Sequence, residues 1–523
     1  MWNRTLPAVS PSPFHLRLQV LAAALGAALG LVSIAAAQPP SARVTVDFSR
    51  PAGRLRPLHG INKGPLGPGG LLDLTERQRQ LELPYTRLHD CHWPNPDVVD
   101  IHAVFPRPEA DPSRPESYDF RLTDEYLAAV RATGAGIVYR LGESIEHTRI
   151  KRYVHPPADP ARWSEVALGI IRHYNEGWAN GYRHDIRYWE IWNEPENRPA
   201  CWTGTDADYY RLYRTAATAI KTRYPALKVG GPAVGNPGEL VEGRLIPTEF
   251  VRGFLELCRR ERLPLDFFSW HCYTDDPAEL VTRAREVRRL LDSHGFRETE
   301  IHLNEWSYLP DRSWAPLAPT ALPEDRQRFY ERMAGAPGAA FIAAALIELQ
   351  DSPVTVGNLF HGEAGGFGLF SEHGVPYRSY HAVDAFRRLL ETPERVASTA
   401  PPGVSAAAGL SPNKDRAQVL ISSRAEGPGQ LRVRLEHLPW NGPARWEVRI
   451  LDRSRPLQAI PVDASAAAGE ELTIGIDGPT VVLVTLRGAS VPEQRPRAVP
   501  ARPAPLAAYD WSSLRAAVIS GEP

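Results

Sequence analysis

Two short segments of the chain each close an apolar run with a glutamate. Residues 188–194 read YWEIWNE and residues 301–305 read IHLNE, so each predicts a buried β-strand with a carboxylate at its end. Cleavage of a glycosidic bond needs a pair of this kind, because the leaving oxygen requires a proton while the opposite face of the sugar requires a nucleophile. Glu194 and Glu305 are therefore the candidate catalytic residues.

The elements that must position these glutamates form a repeating pattern. From about residue 55 to 395, short β-branched or aromatic runs alternate with longer amphipathic stretches, which is typical of βα units around a parallel sheet. We predict an α/β fold, a (β/α)8 TIM barrel over 55–395, with a doubly wound sheet as the alternative. The eight candidate strands are 58–62, 85–89, 136–141, 186–192, 228–231, 266–270, 300–304 and 341–349, and the clearest helices are 123–133, 206–224 and 278–295.

Two features of this pattern bear on the chemistry. The eighth candidate strand is Ala-rich, so it is ambiguous with a helix that leads into a strand. The two glutamates end the fourth and seventh strands, which lie across a barrel from each other with both C-terminal ends at the active-site face. Their carboxyl groups can then approach the roughly 5–5.5 Å of a retaining pair, whereas a single glutamate there could simply be an ion-pair partner.

The regions outside the barrel differ from it in hydrophobic pattern and composition. Short alternating runs over 396–489 predict an accessory antiparallel β-sandwich domain. The segment 38–54 contains an early strand, Ala42 to Phe48, with the same alternation, so we expect it to be the N-terminal strand of that sandwich. The Pro- and Ala-rich segment 490–523 is typical of a flexible tail.

The first residues indicate export. Arg4 and Arg17 precede an apolar run, and three alanines before Gln38 fit a cleavage site, which predicts a signal peptide over 1–37 and a secreted or periplasmic protein. The alternative is an uncleaved membrane anchor, because the run approaches the roughly 20 residues that span a bilayer.

Composition excludes several partners. Lys and Arg (60) nearly balance Asp and Glu (61), so no basic field would hold nucleic acid or an anionic membrane. The expected partner is a neutral oligosaccharide or polysaccharide. The four cysteines form no CxxC pair, and both disulfides and buried free thiols are compatible with their spacing. The two-carboxylate chemistry requires no metal or cofactor, so we predict none.

The chain resembles clan A glycoside hydrolases and, within them, glycoside hydrolase family 39, the group of β-xylosidases and α-L-iduronidases. The likeness runs from about His59 to Asp351. Its motifs are RLHD at 87–90, EIWNEP at 190–195, KVGGP at 228–232, SWHCY at 269–273 and LNEW at 303–306. The resemblance implies that Glu194 is the acid/base and Glu305 the nucleophile. Glu194 should then hold a proton while Glu305 is ionised.

Side chains at the same strand ends are candidates for binding substrate. Asn193 would bond the sugar 2-hydroxyl, and Arg87 and Tyr273 would hold Glu305, although they could also be an ion-pair partner and a wall residue. The candidates for sugar hydroxyls, each of which could equally be a packing residue, are His59, His89, His271 and Glu143. Among the tryptophans that could stack on a sugar ring, namely Trp192, Trp202, Trp306 and Trp314, we favour Trp306 and Trp202.

Two segments depart from the xylosidase pattern. Glu196 follows Asn-Glu-Pro where an asparagine is usual, and residues 142–146 also differ, so the glycone is open. The leading prediction is a retaining exo-glycosidase that removes a terminal sugar such as β-xylose, because long insertions at 90–118 and 197–205 could wall off the cleft. The alternatives are an endo-acting exopolysaccharide hydrolase and a catalytically inactive carbohydrate-binding protein.

Overall fold

The computed structural model describes residues 41–92, 97–440, 444–461 and 471–488. The predicted signal peptide and the predicted tail both lie outside the described residues. The described part divides into a closed barrel and an accessory sheet.

Strands and helices alternate through the barrel region, and the first seven predicted barrel strands are present in the predicted order. The strands are β1 (Ser41–Arg54), β2 (Gly60–Asn62), β3 (Tyr85–Leu88), β4 (Gly136–Leu141), β5 (Tyr188–Ile191), β6 (Lys228–Val234), β7 (Gly238–Val241), β8 (Arg244–Pro247), β9 (Phe267–Thr274), β10 (Glu300–Tyr308), β11 (Val356–Leu359), β12 (Glu394–Thr399), β13 (Val404–Leu410), β14 (Arg416–Ser423), β15 (Pro428–Glu436), β16 (Ala444–Leu451), β17 (Gln458–Ile460), β18 (Glu471–Asp477) and β19 (Thr480–Gly488). The α-helices are α1 (Thr75–Arg79), α2 (Ile101–Val104), α3 (Arg121–Ala132), α4 (Pro160–Asn175), α5 (Asp206–Arg223), α6 (Glu249–Glu261), α7 (Pro277–Ser293), α8 (Pro323–Ala334), α9 (Ala336–Glu348) and α10 (Arg378–Leu389).

Eight parallel strands close the barrel, as predicted. Their order around it is β2, β3, β4, β5, β6, β9, β10 and β11, and β11 pairs with β2 to complete the ring. Helices connect the strands and pack on the outside of the sheet, because this buries their apolar faces. Helix α3, for example, buries Tyr126, Leu127 and Val130. The β7–β8 hairpin is an insertion after the fifth barrel strand. Chain order and spatial order therefore coincide around the ring.

The predicted eighth strand at 341–349 is wrong. Those residues belong mainly to α9, and the eighth barrel strand is β11. The run looks like a buried strand because α9 is apolar on nearly every side: it packs on β10 of the barrel and on β13, β14 and β19 of the accessory sheet. Ser422 donates a hydrogen bond to the carbonyl of Ala340 at 2.6 Å across that contact.

No single helix in the described ranges is long and apolar enough to cross a membrane. Helix α8 and the stretch from Ala336 to Asp351 pass such a test only as a pair bent by 45°. The apolar character of α9 is explained by its position between the barrel and the accessory sheet.

The accessory domain is one nine-stranded sheet, in the order β17, β16, β19, β14, β13, β12, β1, β15 and β18. Strand β1 lies between β12 and β15, so both ends of the chain build this sheet. The pairing of β1 with β15 is parallel, and the sheet is therefore mixed rather than antiparallel, because β1 enters from before the barrel and no hairpin sets its direction. Val44, Val433 and Val484, which lie on three different strands of this sheet, belong to one hydrophobic core.

Removal of a core side chain from β1 should destabilise the accessory sheet. Phe48 is buried in the sheet core, so Phe48→Ala should lower the free energy of unfolding by about 3–5 kcal/mol through lost burial and a cavity. Arg50→Ala, in the exposed part of the same strand, should change it by less than about 0.5 kcal/mol. Urea denaturation measures both values. Equal effects of the two substitutions would contradict the central position of β1.

Candidate active site

The acid/base candidate sits where the chain leaves β5 in an unusual backbone conformation. Trp192 and Glu194 have φ of 70° and 45°, values that non-glycine residues adopt rarely. The backbone N–H of Glu194 donates to the carbonyl of Ala233 at 3.0 Å, which ties this turn to the exit of β6. The turn thereby directs Asn193 and Glu194 toward the cavity at the C-terminal face of the barrel.

The nucleophile candidate lies within β10, which continues to Tyr308 instead of ending near Asn304. A register shift relative to β9 falls between Leu303 and Glu305. Both carboxylate oxygens of Glu305 are held, because Tyr273 donates to Oε1 at 2.5 Å and Arg87 donates to Oε2 at 3.1 Å. Arg87 and Tyr273 thus contact Glu305 as the sequence pattern predicts.

Arg87 connects four side chains below the cavity. Its Nε donates to Glu190 at 2.7 Å, its Nη2 to the Oδ1 of Asn193 at 2.7 Å, and its Nη1 to Asn62 at 3.0 Å in addition to Glu305. Arg87 is fully buried, so each of these charge-assisted bonds forms away from water. Because the Oδ1 of Asn193 accepts from Arg87, the amide nitrogen of that side chain is oriented away from the guanidinium.

His271 links the two candidate catalytic carboxylates. Its Nδ1 lies 2.7 Å from Oε1 of Glu194 and its Nε2 lies 3.7 Å from Oε2 of Glu305. One oxygen of each glutamate and one ring nitrogen of His271 all lie within 4.8 Å of one another. The other oxygen of Glu194 accepts from Asn197 at 2.8 Å. Nearest oxygens within 4.8 Å are compatible with a retaining pair, whose carboxyl groups lie roughly 5–5.5 Å apart.

The ionisation of the pair differs from the prediction. Burial raises the pKa of Glu194, but the hydrogen bond and charge of His271 outweigh it, so the net direction is downward. Burial and then the charge of Glu194 raise the pKa of Glu305, against the opposing effects of His271 and Arg87. The pKa of His271 is raised, because the two carboxylates outweigh the effect of its burial. These opposite directions of the two pKa values favour a protonated His271 that donates to an ionised Glu194.

The cavity above these residues has a volume of about 870 Å³. All eight barrel strands contribute to its wall. Lys63, which follows β2, forms an ion pair with Asp90 at 3.0 Å and lies 3.5 Å from Glu363. Burial raises the pKa of Glu363 to about 7, although Lys63 opposes this shift. Lys63 and Asp90 thus place a charged pair in the cavity wall, with Glu363 behind it.

The structure corrects four of the predicted sugar contacts. His59 precedes β2 and contacts the carbonyl of Leu81, and Glu143 accepts a hydrogen bond from His102. Trp202 and Trp306 are fully buried, so neither can stack on a ligand. The common cause is that a position near a strand end does not determine whether the side chain points toward the cavity or into the layer of helices. His89 and His271 do line the cavity.

Several cavity residues were not predicted. Lys63, Phe360 and His361 line it. Trp314, a candidate that the sequence analysis named but did not favour, also lines it; its side chain is 49% exposed and packs edge-on against Tyr273. Lys63 could have been predicted, because it directly follows the first barrel strand and active-site residues of a TIM barrel lie at the C-terminal ends of the strands. Phe360 and His361 could not be found, because they follow β11 and the eighth strand was placed in α9.

Within the described part of the chain, three groups of carboxylate and imidazole side chains are close enough to share a cation, and in each a carboxylate already pairs with Lys63, Arg140 or Arg87. All four cysteines are buried free thiols, as one of the two sequence alternatives has it. The sulfur of Cys201 lies 3.7 Å from Oε2 of Glu194, so this thiol belongs to the wall around the acid/base candidate.

A comparison with known protein families identifies the family of this chain. The sequence model of glycosyl hydrolases family 39 matches residues 110–397, more than half of the 523 residues. The chain belongs to glycosyl hydrolases family 39. Within this family 39 chain, the match covers the segments that carry Glu194 and Glu305 and reaches into β12.

Three individual proteins that are similar to this family 39 chain share between 19% and 28% sequence identity with it. A β-xylosidase from Geobacillus stearothermophilus is 27% identical over 347 residues, covering 60% of this chain and 63% of that enzyme, so the match spans less than two thirds of its length. The solved structure of a glucosidase from Croceicoccus marinus has a TM-score of 0.69 and 28% identity, covering 86% of this chain and 99% of that one. The GH39 enzyme from Xanthomonas axonopodis pv. citri has a TM-score of 0.64 at 19% identity, covering 88% and 100%, and shares the fold.

A methyl group at Gly235 should displace Glu194 and leave the fold intact. A Cβ there would lie 2.6 Å from Oε1 of Glu194, and the carboxylate can move because it ends a flexible side chain. Gly235→Ala should reduce kcat for an aryl glycoside about 10- to 100-fold, since small misplacements of catalytic groups have effects of that order. The melting temperature should barely change. Gly475→Ala, whose Cβ meets open space, is the control. Wild-type kcat in Gly235→Ala would contradict this geometry.

Proposed function

We propose that the protein is a retaining glycoside hydrolase that releases a terminal sugar, with β-xylose as the leading glycone. The single observation that carries this proposal is the pair formed by Glu194 and Glu305, whose oxygens come within 4.8 Å across His271. Double displacement needs two carboxyl groups at about this separation, one to attack and one to protonate. Family membership and the β-xylosidase relative support the same class of reaction.

In this mechanism Glu305 attacks the anomeric carbon and forms a glycosyl-enzyme. Attack requires an ionised carboxylate, and the hydrogen bonds from Arg87 and Tyr273 favour that form and fix its orientation. Asn193, oriented by Arg87, presents its amide nitrogen to the 2-hydroxyl of the sugar, a contact that strengthens at the transition state. No step in this scheme requires a metal.

Glu194 protonates the leaving oxygen and later takes a proton from the attacking water. The required proton is supplied by His271, whose Nδ1 lies 2.7 Å from Glu194. With the proton on the imidazole both groups are charged, and with the proton on the carboxyl group both are neutral. The total charge of the pair is the same in the two forms. A bound sugar excludes water, and exclusion of water disfavours the pair of charges. Substrate binding should therefore move this proton from Nδ1 of His271 to Glu194, which makes the acid available when it is needed.

The exo mode is supported by the shape and polarity of the cavity. Lys63 and Asp90 form an ion pair in its wall, and Phe360 lies on the same side, where its ring is 5.6 Å from the ammonium of Lys63. A wall that ends the cavity on this side would limit the number of sugar units beyond the cleavage point. Trp314, half exposed at the cavity wall, is a candidate platform for the leaving group, because aromatic faces complement apolar sugar faces.

The first product should retain the anomeric configuration. Two displacements at one carbon restore the starting configuration, so ¹H NMR of early turnover should show only the retained anomer. Chelator should leave the rate unchanged. Hydrolysis of a xylo-oligosaccharide under the same conditions should release one sugar at a time from a single end. An inverted first product would contradict the mechanism, and random internal cleavage would favour the endo-acting alternative.

Chemical rescue should separate the two glutamates. Glu194→Ala should keep appreciable turnover of a dinitrophenyl glycoside, whose leaving group needs little protonation, and azide should then yield a glycosyl azide of retained configuration. Glu305→Ala should lose all substrates by several orders of magnitude, and azide should yield an inverted product. Fast turnover of the activated substrate by Glu305→Ala would contradict the assignment, as would an equal loss of activated and unactivated substrates in Glu194→Ala.

A further inference from the structure

Glu196 is a second ionisable group beside the acid/base and has no role in the mechanism above. It lies two residues after Glu194 and lines the same cavity. Its Oε1 accepts a hydrogen bond from the backbone N–H of Gly235 at 2.6 Å and a longer one from Asn236 at 3.4 Å. These two backbone donors hold the carboxyl group against the exit of β6.

Gly235 is the point at which the two carboxyl groups converge. A Cβ on Gly235 would lie 2.6 Å from Oε1 of Glu194 and 3.3 Å from Oε1 of Glu196. Any residue other than glycine would push a methyl group between them. The missing side chain therefore allows two carboxyl groups to approach one corner of the cavity.

The surroundings of Glu196 do little to stabilise a second negative charge. Its Oε2 is buried and has no hydrogen-bond partner in the described ranges, and no Lys or Arg there forms a salt bridge with it. The titratable groups that face it are Glu194, His271, Cys201 and Tyr209, and His271 is already bonded to Glu194. Burial first, and then the charge of Glu194, raise the pKa of Glu196 to about 7.

We propose that Glu196 is a positioning residue that acts through Glu194, so that the two carboxyl groups across Gly235 retain one proton together beside the leaving-group oxygen. Two adjacent carboxyl groups cannot both ionise easily, and the last proton leaves the pair at a higher pH than it would leave Glu194 alone. This inference rests on the proposed role of Glu194 as the acid. A charge on Glu196 also opposes the loss of the proton that His271 passes to Glu194, so the acid stays available nearer to neutral pH.

The test is the pH profile of Glu196→Gln. Glutamine retains the oxygen that accepts from Gly235, so the fold should be kept while the charge and the proton are removed. For a glycoside with a poor leaving group, the basic limb of kcat/KM should move to lower pH by about one unit, and activity at pH 7.5 should fall about tenfold. For a dinitrophenyl glycoside, which needs no proton, the profile should match that of wild type.

Two further variants complete the test. Glu239→Gln makes the same change at an exposed position of the nearby hairpin, and its basic limb should stay in place. Glu196→Asp restores a carboxyl group, so the basic limb should return toward that of wild type. A basic limb that does not move in Glu196→Gln, or that moves equally for both substrates, overturns the inference. That outcome leaves the rescue results for Glu194 and Glu305 unaffected, so it is distinct from failure of the proposed function.

Discussion

The active site depends on one buried guanidinium. Arg87 has no contact with solvent, and a buried charge is tolerated only when it is paired and fully hydrogen-bonded. Glu190 and Glu305 supply the opposite charges, and Asn62 and Asn193 each accept one further hydrogen bond. Each partner comes from a different strand end or from the turn after β5. The requirement to satisfy Arg87 therefore fixes the relative positions of the first, second, fourth and seventh strands at the floor of the cavity.

The same network divides the two carboxylates into different environments. Glu305 is held by Arg87 and Tyr273, which orient it for attack, whereas Glu194 contacts His271, Asn197 and Cys201, which are donors without a permanent charge. A group whose main partner is a titratable imidazole can gain or lose a proton at little cost. The chemical asymmetry of the pair follows from this difference between the partners.

The accessory sheet supports this arrangement from outside. Helix α9 connects the seventh and eighth barrel strands and also forms part of the packing surface of β13, β14 and β19. Arg56 extends this contact, because its guanidinium donates to the carbonyls of Leu349 and Val354 near the start of β11. The eighth strand, which precedes Phe360 and His361, is thereby braced by both domains.

The sequence alone predicted the barrel, seven of its eight strands, and the two glutamates that meet in one cavity beside Arg87, Tyr273 and Asn193. These succeeded because local patterns report them: an apolar run ending in a carboxylate is visible within a few residues. Helix α9 was taken for a strand because burial by two domains removes the polar face that marks a surface helix.

Only the tertiary structure decided the rest. It separated His89 and His271, which face the cavity, from His59 and Trp306, which face the packing layer. It also placed His271 between the two carboxylates, and Glu196 across Gly235 from Glu194. Side-chain direction at a strand end and the proton affinity of a buried group depend on neighbours that are distant in the chain. Local sequence therefore names the groups that can do the chemistry, whereas the contacts between strands decide which of them hold the proton.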